Sequence, residues 1–169
     1  MQSCIFIPAL MGATINPKMC YTIDVHKPFY ASGFLYHSPT QQILLQQFKS
    51  GTSVNLVLFR GSSKNGETPQ EVFRTCIEKA LGTAIDSSSI HPIYDYVHEQ
   101  LGEQFVFYVE VRDATPKEYK SKNKTEWLPL TKVPKRVMSE QTHHDIVVGE
   151  RVIRSSYETS HPQEFPKRH

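Results

Sequence analysis

"GSSKNGETPQEVFRTCIEKALGT", Gly61 to Thr83, decides how the rest of the chain is read. It begins as a polar glycine loop and becomes a helix at Thr68-Pro69. Thr68 fits an N-cap, Pro69 the first helical position, and Glu71 completes a capping box with the cap. Leu81-Gly82 closes the helix, because glycine readily takes the left-handed conformation that ends helices. On a helical wheel Val72, Phe73, Cys76, Ile77, Ala80 and Leu81 form one broad apolar arc. Glu71 and Glu78 share the opposite face, where solvation is the plain expectation.

Outward from this helix the chain alternates between strand and turn signals. "FYASGFLYH" and "QQILLQQFK" read as two strands joined by "SPTQ", and "VNLVLF" as a third that runs into the loop at Gly61. After the helix, "IHPIYDYVHE" and "QFVFYVEV" form a second hairpin around Leu101-Gly102. A lysine-rich excursion, "RDATPKEYKSKNK", leads to the short strand "TEWLPL". "VPKRVMSEQ" and "HHDIVVGERVIRS" read as one or two C-terminal helices, with an apolar stripe from Ile146, Val148, Val152 and Ile153. "SCIFIPAL" and "CYTIDV" are β-prone pieces near the N-terminus. This order predicts an α+β protein, a mixed β-sheet sandwiched between helices. One domain is expected over 1–155, with N-terminal strands in 1–26 and a core in 27–155, followed by a loosely held tail, 156–169.

Composition narrows the function classes. The chain has 169 residues, 38% hydrophobic and 21% charged, enough to bury a real core. Nineteen basic against 17 acidic side chains leave a net charge of +2, too even for nucleic-acid or membrane binding by bulk electrostatics. Cys4, Cys20 and Cys76 make no CxxC pair, which suits a reducing compartment. The apolar start lacks a basic leader region, and no run approaches the ~18–20 apolar residues of a membrane span. A soluble, cytoplasmic protein is expected.

With the loop and helix in register, the stretch resembles the Nudix box: a Gly, five residues, Glu, seven residues, then Arg-Glu-hydrophobic-x-Glu-Glu-x-Gly-hydrophobic. Gly61, Glu67, Ile77 and Gly82 match it without insertion or deletion. Thr75 stands at the arginine position, and Cys76, Lys79 and Ala80 stand at the three helix glutamates. The preceding strands and the later Glu126-Trp127 extend the likeness in outline over Lys27 to Ser155. The resemblance implies a Nudix fold, and for active members it implies hydrolysis of a pyrophosphate linkage with Mg²⁺ or Mn²⁺.

Such hard cations need oxygen ligands. Cys76 and Ala80 offer none, and Lys79 puts a positive charge where the cation would sit. At ~4 Å and an effective dielectric of about 20, that repulsion is roughly 4 kcal/mol per unit charge product. The resemblance therefore implies a binding module built on the fold, with no cofactor expected. Its partner would be a nucleotide, a nucleotide sugar, RNA or a protein, a homodimer included. Arg60, Lys64 and Lys79 are candidate phosphate contacts, since both side-chain types bind phosphate directly. The plainer alternative pairs Arg60 with Glu67 and leaves Lys64 in water. A hydrolase remains the second expectation, with Mg²⁺ or Mn²⁺ held by carboxylates drawn from Glu67, Glu71 and Glu78, or from Glu99, Glu103 and Glu110 on the second hairpin.

Other constellations weigh less. "THHD", Thr142 to Asp145, lacks zinc spacing and reads as a surface helix start capped by Thr142 with Asp145 as its acidic partner. His91 and His98 stand an odd number apart on a strand, so alternation sends them to opposite faces. Cys76 beside Lys79 could be an activated thiol, but a core-filling cysteine is the safer reading. Of the aromatic residues on the two hairpins, most belong to the core, and one or two are candidates to line a groove.

Overall fold

The computed structural model describes residues 28–64, 66–113, 119, 124–133 and 138–160. The β-prone pieces expected in 1–26 lie outside them, as do Cys4, Cys20, most of the lysine-rich excursion and residues 161–169. Among the described residues, seven strands form one mixed sheet: β1 Tyr30–His37, β2 Gln42–Ser50, β3 Ser53–Val57, β4 Phe59–Ser62, β5 Ile90–His98, β6 Gly102–Val111 and β7 Thr125–Pro129. Their main order is β3-β2-β1-β6-β5, with β4 paired to β1 and β7 to β2. β1 and β6 run parallel, and the other pairings are antiparallel.

Helix α1 (Pro69–Leu81) covers one face and α2 (Glu140–Ser160) the other. α1 begins and ends where its sequence predicts. Thr68 and Glu71 exchange the two bonds of a capping box, and Gly82 closes the helix at φ 66°. Strand alternation divides the core into two layers. Ala31, Leu35, Phe59 and Phe107 meet Val72, Phe73, Ile77 and Leu81 of α1. Phe34, Tyr36, Val106 and Tyr108 meet Ile146 and Ile153 of α2. Gly33 is needed beneath α1, because a Cβ there would lie 2.7 Å from the Phe73 ring and closer still to the Phe107 carbonyl.

Several elements differ from the sequence reading. "VNLVLF" is not one strand: β3 pairs with β2, the chain crosses at Leu58, and β4 pairs with β1, taking Gly61 into the sheet. α2 starts at Glu140, so "VPKRVMSEQ" contributes no helix before that residue among the described positions. At its other end α2 continues to Ser160, through the first five residues of the expected loose tail. Ser139, not Thr142, caps α2: its hydroxyl accepts from the Thr142 N–H at 3.1 Å, and its carbonyl from the His143 N–H. Asp145 is buried rather than at a surface helix start. Finally, a register shift between Pro92 and Tyr94 undoes the His91/His98 parity. His91 pairs with Tyr108 and His98 with Gly102, six residues apart on β6, so both histidines face the α2 side.

Candidate functional site

The end of β4, the loop after it and one face of α1 border a pocket of about 460 Å³. Gly61 lets the two elements come together: a Cβ there would lie 3.1 Å from the Cys76 Cβ and 3.2 Å from a Val72 methyl. With the helix this close, Thr75, Cys76, Lys79 and Ala80 look into the pocket, facing Ser62 at the end of β4, Lys64 of the loop and Gln46 of β2. These are the positions where the box pattern carries its arginine and glutamates.

One carboxylate, Glu67, lines the pocket, and an oxygen of it accepts the Lys64 backbone N–H at 2.8 Å. Glu67 thus fastens the loop. Glu71 lies outside the lining, where the Thr68 N–H and hydroxyl each donate to it at 2.8 Å and hold its pKa down. Glu78 does not simply face water, because it accepts the Ile85 N–H at 3.0 Å and ties the helix to the chain that follows. Glu99, Glu103 and Glu110 do not line the pocket either. Among the described residues, no three His, Cys, Asp or Glu side chains are grouped so as to hold a metal ion.

The basic candidates separate. Lys64 and Lys79 border the pocket and are exposed. Arg60 also lines it, and its backbone lies close enough to the Cys76 thiol to act on it. Its side chain, alternating with the buried Phe59, passes to the other face. There the guanidinium donates to Gln104 at 2.8 Å and lies 4.5 Å from the Tyr30 ring centre. Arg60 therefore does not pair with Glu67. Burial pushes the Cys76 thiol up, and its bond to Arg60 and the nearby Lys79 charge only partly oppose this. That balance favours a packing role over a nucleophilic one.

On the α2 face lies a polar cluster that sequence reasoning missed. Buried Asp145 accepts hydrogen bonds from the Tyr94 hydroxyl and from Gln141, the latter at 2.7 Å. Burial raises the Asp145 pKa, and the same burial together with the Asp145 contact raises that of Tyr94. Gln46, Ser62 and Thr75 were also missed as pocket lining. The signal for Thr75 and Ser62 was their place in the box frame.

Comparison with solved structures agrees with this architecture. An ADP compounds hydrolase aligns over 79% of this chain and 76% of its own, with TM-score 0.58 and 8% identity. A Nudix-family hydrolase from Clostridium perfringens aligns over 76% and 97%, with TM-score 0.54 and 14% identity. A MutT/Nudix protein from Enterococcus faecalis aligns over 76% and 63%, with TM-score 0.54 and 13% identity. The chain has the Nudix, MutT-like fold. At the level of sequence no protein-family model matches it, and no curated protein does. No described helix is long and apolar enough to cross a membrane.

Proposed function

We propose that this chain is a Nudix-fold binding module that holds a phosphate-bearing ligand, a nucleotide or nucleotide sugar, without metal and without hydrolysing it. The observation that carries this reading is the pocket lining. Four box positions present Thr75, Cys76, Lys79 and Ala80, and the single carboxylate among the described lining residues, Glu67, is engaged with its own loop. Such a donor set does not fit Mg²⁺ or Mn²⁺, which need several oxygen ligands. It suits an anion: two ammonium groups from Lys64 and Lys79, with hydroxyls from Ser62 and Thr75 and an amide from Gln46. Arg60 supports the site from behind, through its backbone.

One structural neighbour is described as acting on ADP compounds, which makes ADP and ADP-ribose suitable probes. Isothermal titration in EDTA should show ADP binding to the wild type. Lys79→Ala should weaken it about ten- to hundredfold, the worth of one charge-assisted contact of roughly 1.5–3 kcal/mol. Incubation of ADP-ribose with Mg²⁺ or Mn²⁺ should yield no products. Metal-dependent cleavage, abolished by Glu67→Gln, Glu99→Gln or Glu103→Gln, would overturn the proposal in favour of a hydrolase with relocated carboxylates.

A further inference from the structure

A second cavity, of about 560 Å³, opens at the opposite end of the sheet and on its other face. Gly61 of the first pocket pairs with Ala31 near the start of β1, whereas Glu110 pairs with Tyr36, five residues further along. That separates the two sites by about 17 Å along the strand. The second cavity is walled by Ser38, His91, Tyr108, Glu110, Arg112 and Tyr157, so the end of β6 and the last turns of α2 build it together. Nothing in the reading of the first pocket uses these residues.

Glu110 decides its chemistry. Its side chain is only 11% exposed, and it accepts from Arg112 Nη2 at 2.8 Å and from the Tyr157 hydroxyl at 3.4 Å. His91, Tyr108 and Tyr157 line the cavity together with this carboxylate. Tyr108 stacks on His91 with ring centres 4.9 Å apart and meets Tyr36 edge-on. Burial, with Tyr157 and the Glu110 charge behind it, pushes the Tyr36 phenol up to about 12. Arg112 first, with Ser38 and the nearby His91 behind it, keeps Glu110 below the usual carboxylate range against its burial. A nearly buried anion in a cavity lined by aromatic residues selects a cation and repels a phosphate or carboxylate.

The cation now present is poorly held. The Arg112 side chain is 79% exposed, and it reaches Glu110 from two residues along the same chain. The arginine end of the pair is thus largely in water, which screens it, and the long side chain loses rotamer freedom in holding it. We propose that this cavity is a recognition site for a guanidinium group, such as the arginine side chain of a partner protein, and that Arg112, at the cavity wall, pairs with its carboxylate in cis until the ligand displaces it. The planar guanidinium matches a carboxylate through two N–H groups and lies flat on aromatic rings, which a lysine ammonium cannot do.

The test is a titration of the folded full-length chain with N-acetyl-arginine-methylamide, followed by NMR, with the lysine counterpart as control. Arg112→Ala removes the competing occupant at an exposed position and should tighten binding about tenfold over wild type. Adding Glu110→Gln, which keeps an acceptor for Tyr157, should reverse that gain, and circular dichroism checks that the double variant is folded. The arginine probe should outcompete the lysine one. Arg112→Ala binding no tighter than wild type, affinity indifferent to Glu110→Gln, or no binding to any variant at millimolar probe would each overturn the proposal. An arginine-containing peptide that binds no more tightly than the free probe would assign the site to small guanidinium compounds and overturn the protein-partner half.

Discussion

Gly61 and Cys76 stand so close that a methyl group on the first would lie 3.1 Å from the Cβ of the second. The same methyl would sit 3.3 Å from the Val72 carbonyl oxygen, which is backbone and cannot swing aside. Gly61→Ala should therefore push α1 off β4 and cost about 1–3 kcal/mol, the usual range for overpacking. Urea denaturation checks it through a lower midpoint at constant slope. An unchanged midpoint would mean that strand and helix part without penalty.

The start of α1 depends on Thr68 and Glu71. Thr68→Ala removes a hydroxyl that accepts the Glu71 N–H, and by general cap energetics should cost about 1 kcal/mol. The Glu71 carboxyl is held below its ordinary 4.5, first by the Thr68 backbone and then by the Thr68 hydroxyl. Its contribution is therefore present at neutral pH and is lost as pH falls from 4.5 through the lower folded value. The variant keeps the backbone contribution, so its acid limb should be shallower but not flat. Melting temperatures measured across that limb decide the point. Parallel curves would show that the hydroxyl has no part in the shift.

Helix α1 was legible because everything that fixes it is local: Thr68, Pro69, Glu71 and Gly82 lie on the segment itself. The two hairpins were legible for the same reason. The break at Leu58 was not, because it depends on β3 and β4 choosing different partner strands. The destination of Arg60 could have been read from its alternation with Phe59, had β4 been taken through Gly61. The irregularity at Pro92–Tyr94 reversed an otherwise correct parity argument for His91 and His98. Asp145 has its main partner, Tyr94, 51 residues away, and no local pattern announces such a contact.

Asp145 gives a pH effect of the opposite sign. Burial raises its pKa in the fold, against opposing bonds from Tyr94 and Gln141 and the charges of His144 and Arg60. The folded state thus binds its proton more tightly than the unfolded chain does. Stability should fall as pH rises from the ordinary aspartate value of 3.8 through the raised one. Asp145→Asn keeps an acceptor for Tyr94 and removes the titration, so the difference in melting temperature between variant and wild type should grow in the variant's favour across that window. Tyr94→Phe leaves the carboxylate one donor short and should cost about 1.5–3 kcal/mol at neutral pH. A pH-independent difference between Asp145→Asn and wild type would show that the carboxyl titrates as it does in the unfolded chain.

Restoring the box asks whether its frame still supports a metal. Thr75→Arg, Cys76→Glu, Lys79→Glu and Ala80→Glu together rebuild the acidic cluster on the face that borders the pocket. Cys76 is half-buried and packs against the α1 core layer, so a carboxylate there loses hydration. In EDTA the quadruple variant should be less stable than wild type by about 1–3 kcal/mol. Mg²⁺ should then raise its melting temperature in a concentration-dependent way, because an ion that binds only the folded state stabilises by mass action. Wild type, with Lys79 in the pocket, should show no such rise. Lys79→Glu alone should lie between them in metal response and should lose ADP binding in EDTA more completely than Lys79→Ala, a difference that added salt should erode. Equal ADP affinity in wild type, Lys79→Ala and Lys79→Glu would remove Lys79 from the ligand site. That result would leave Lys64 as the remaining cation among the described residues whose side chain borders the pocket, and would shift the reading of this fold toward a protein-interaction platform.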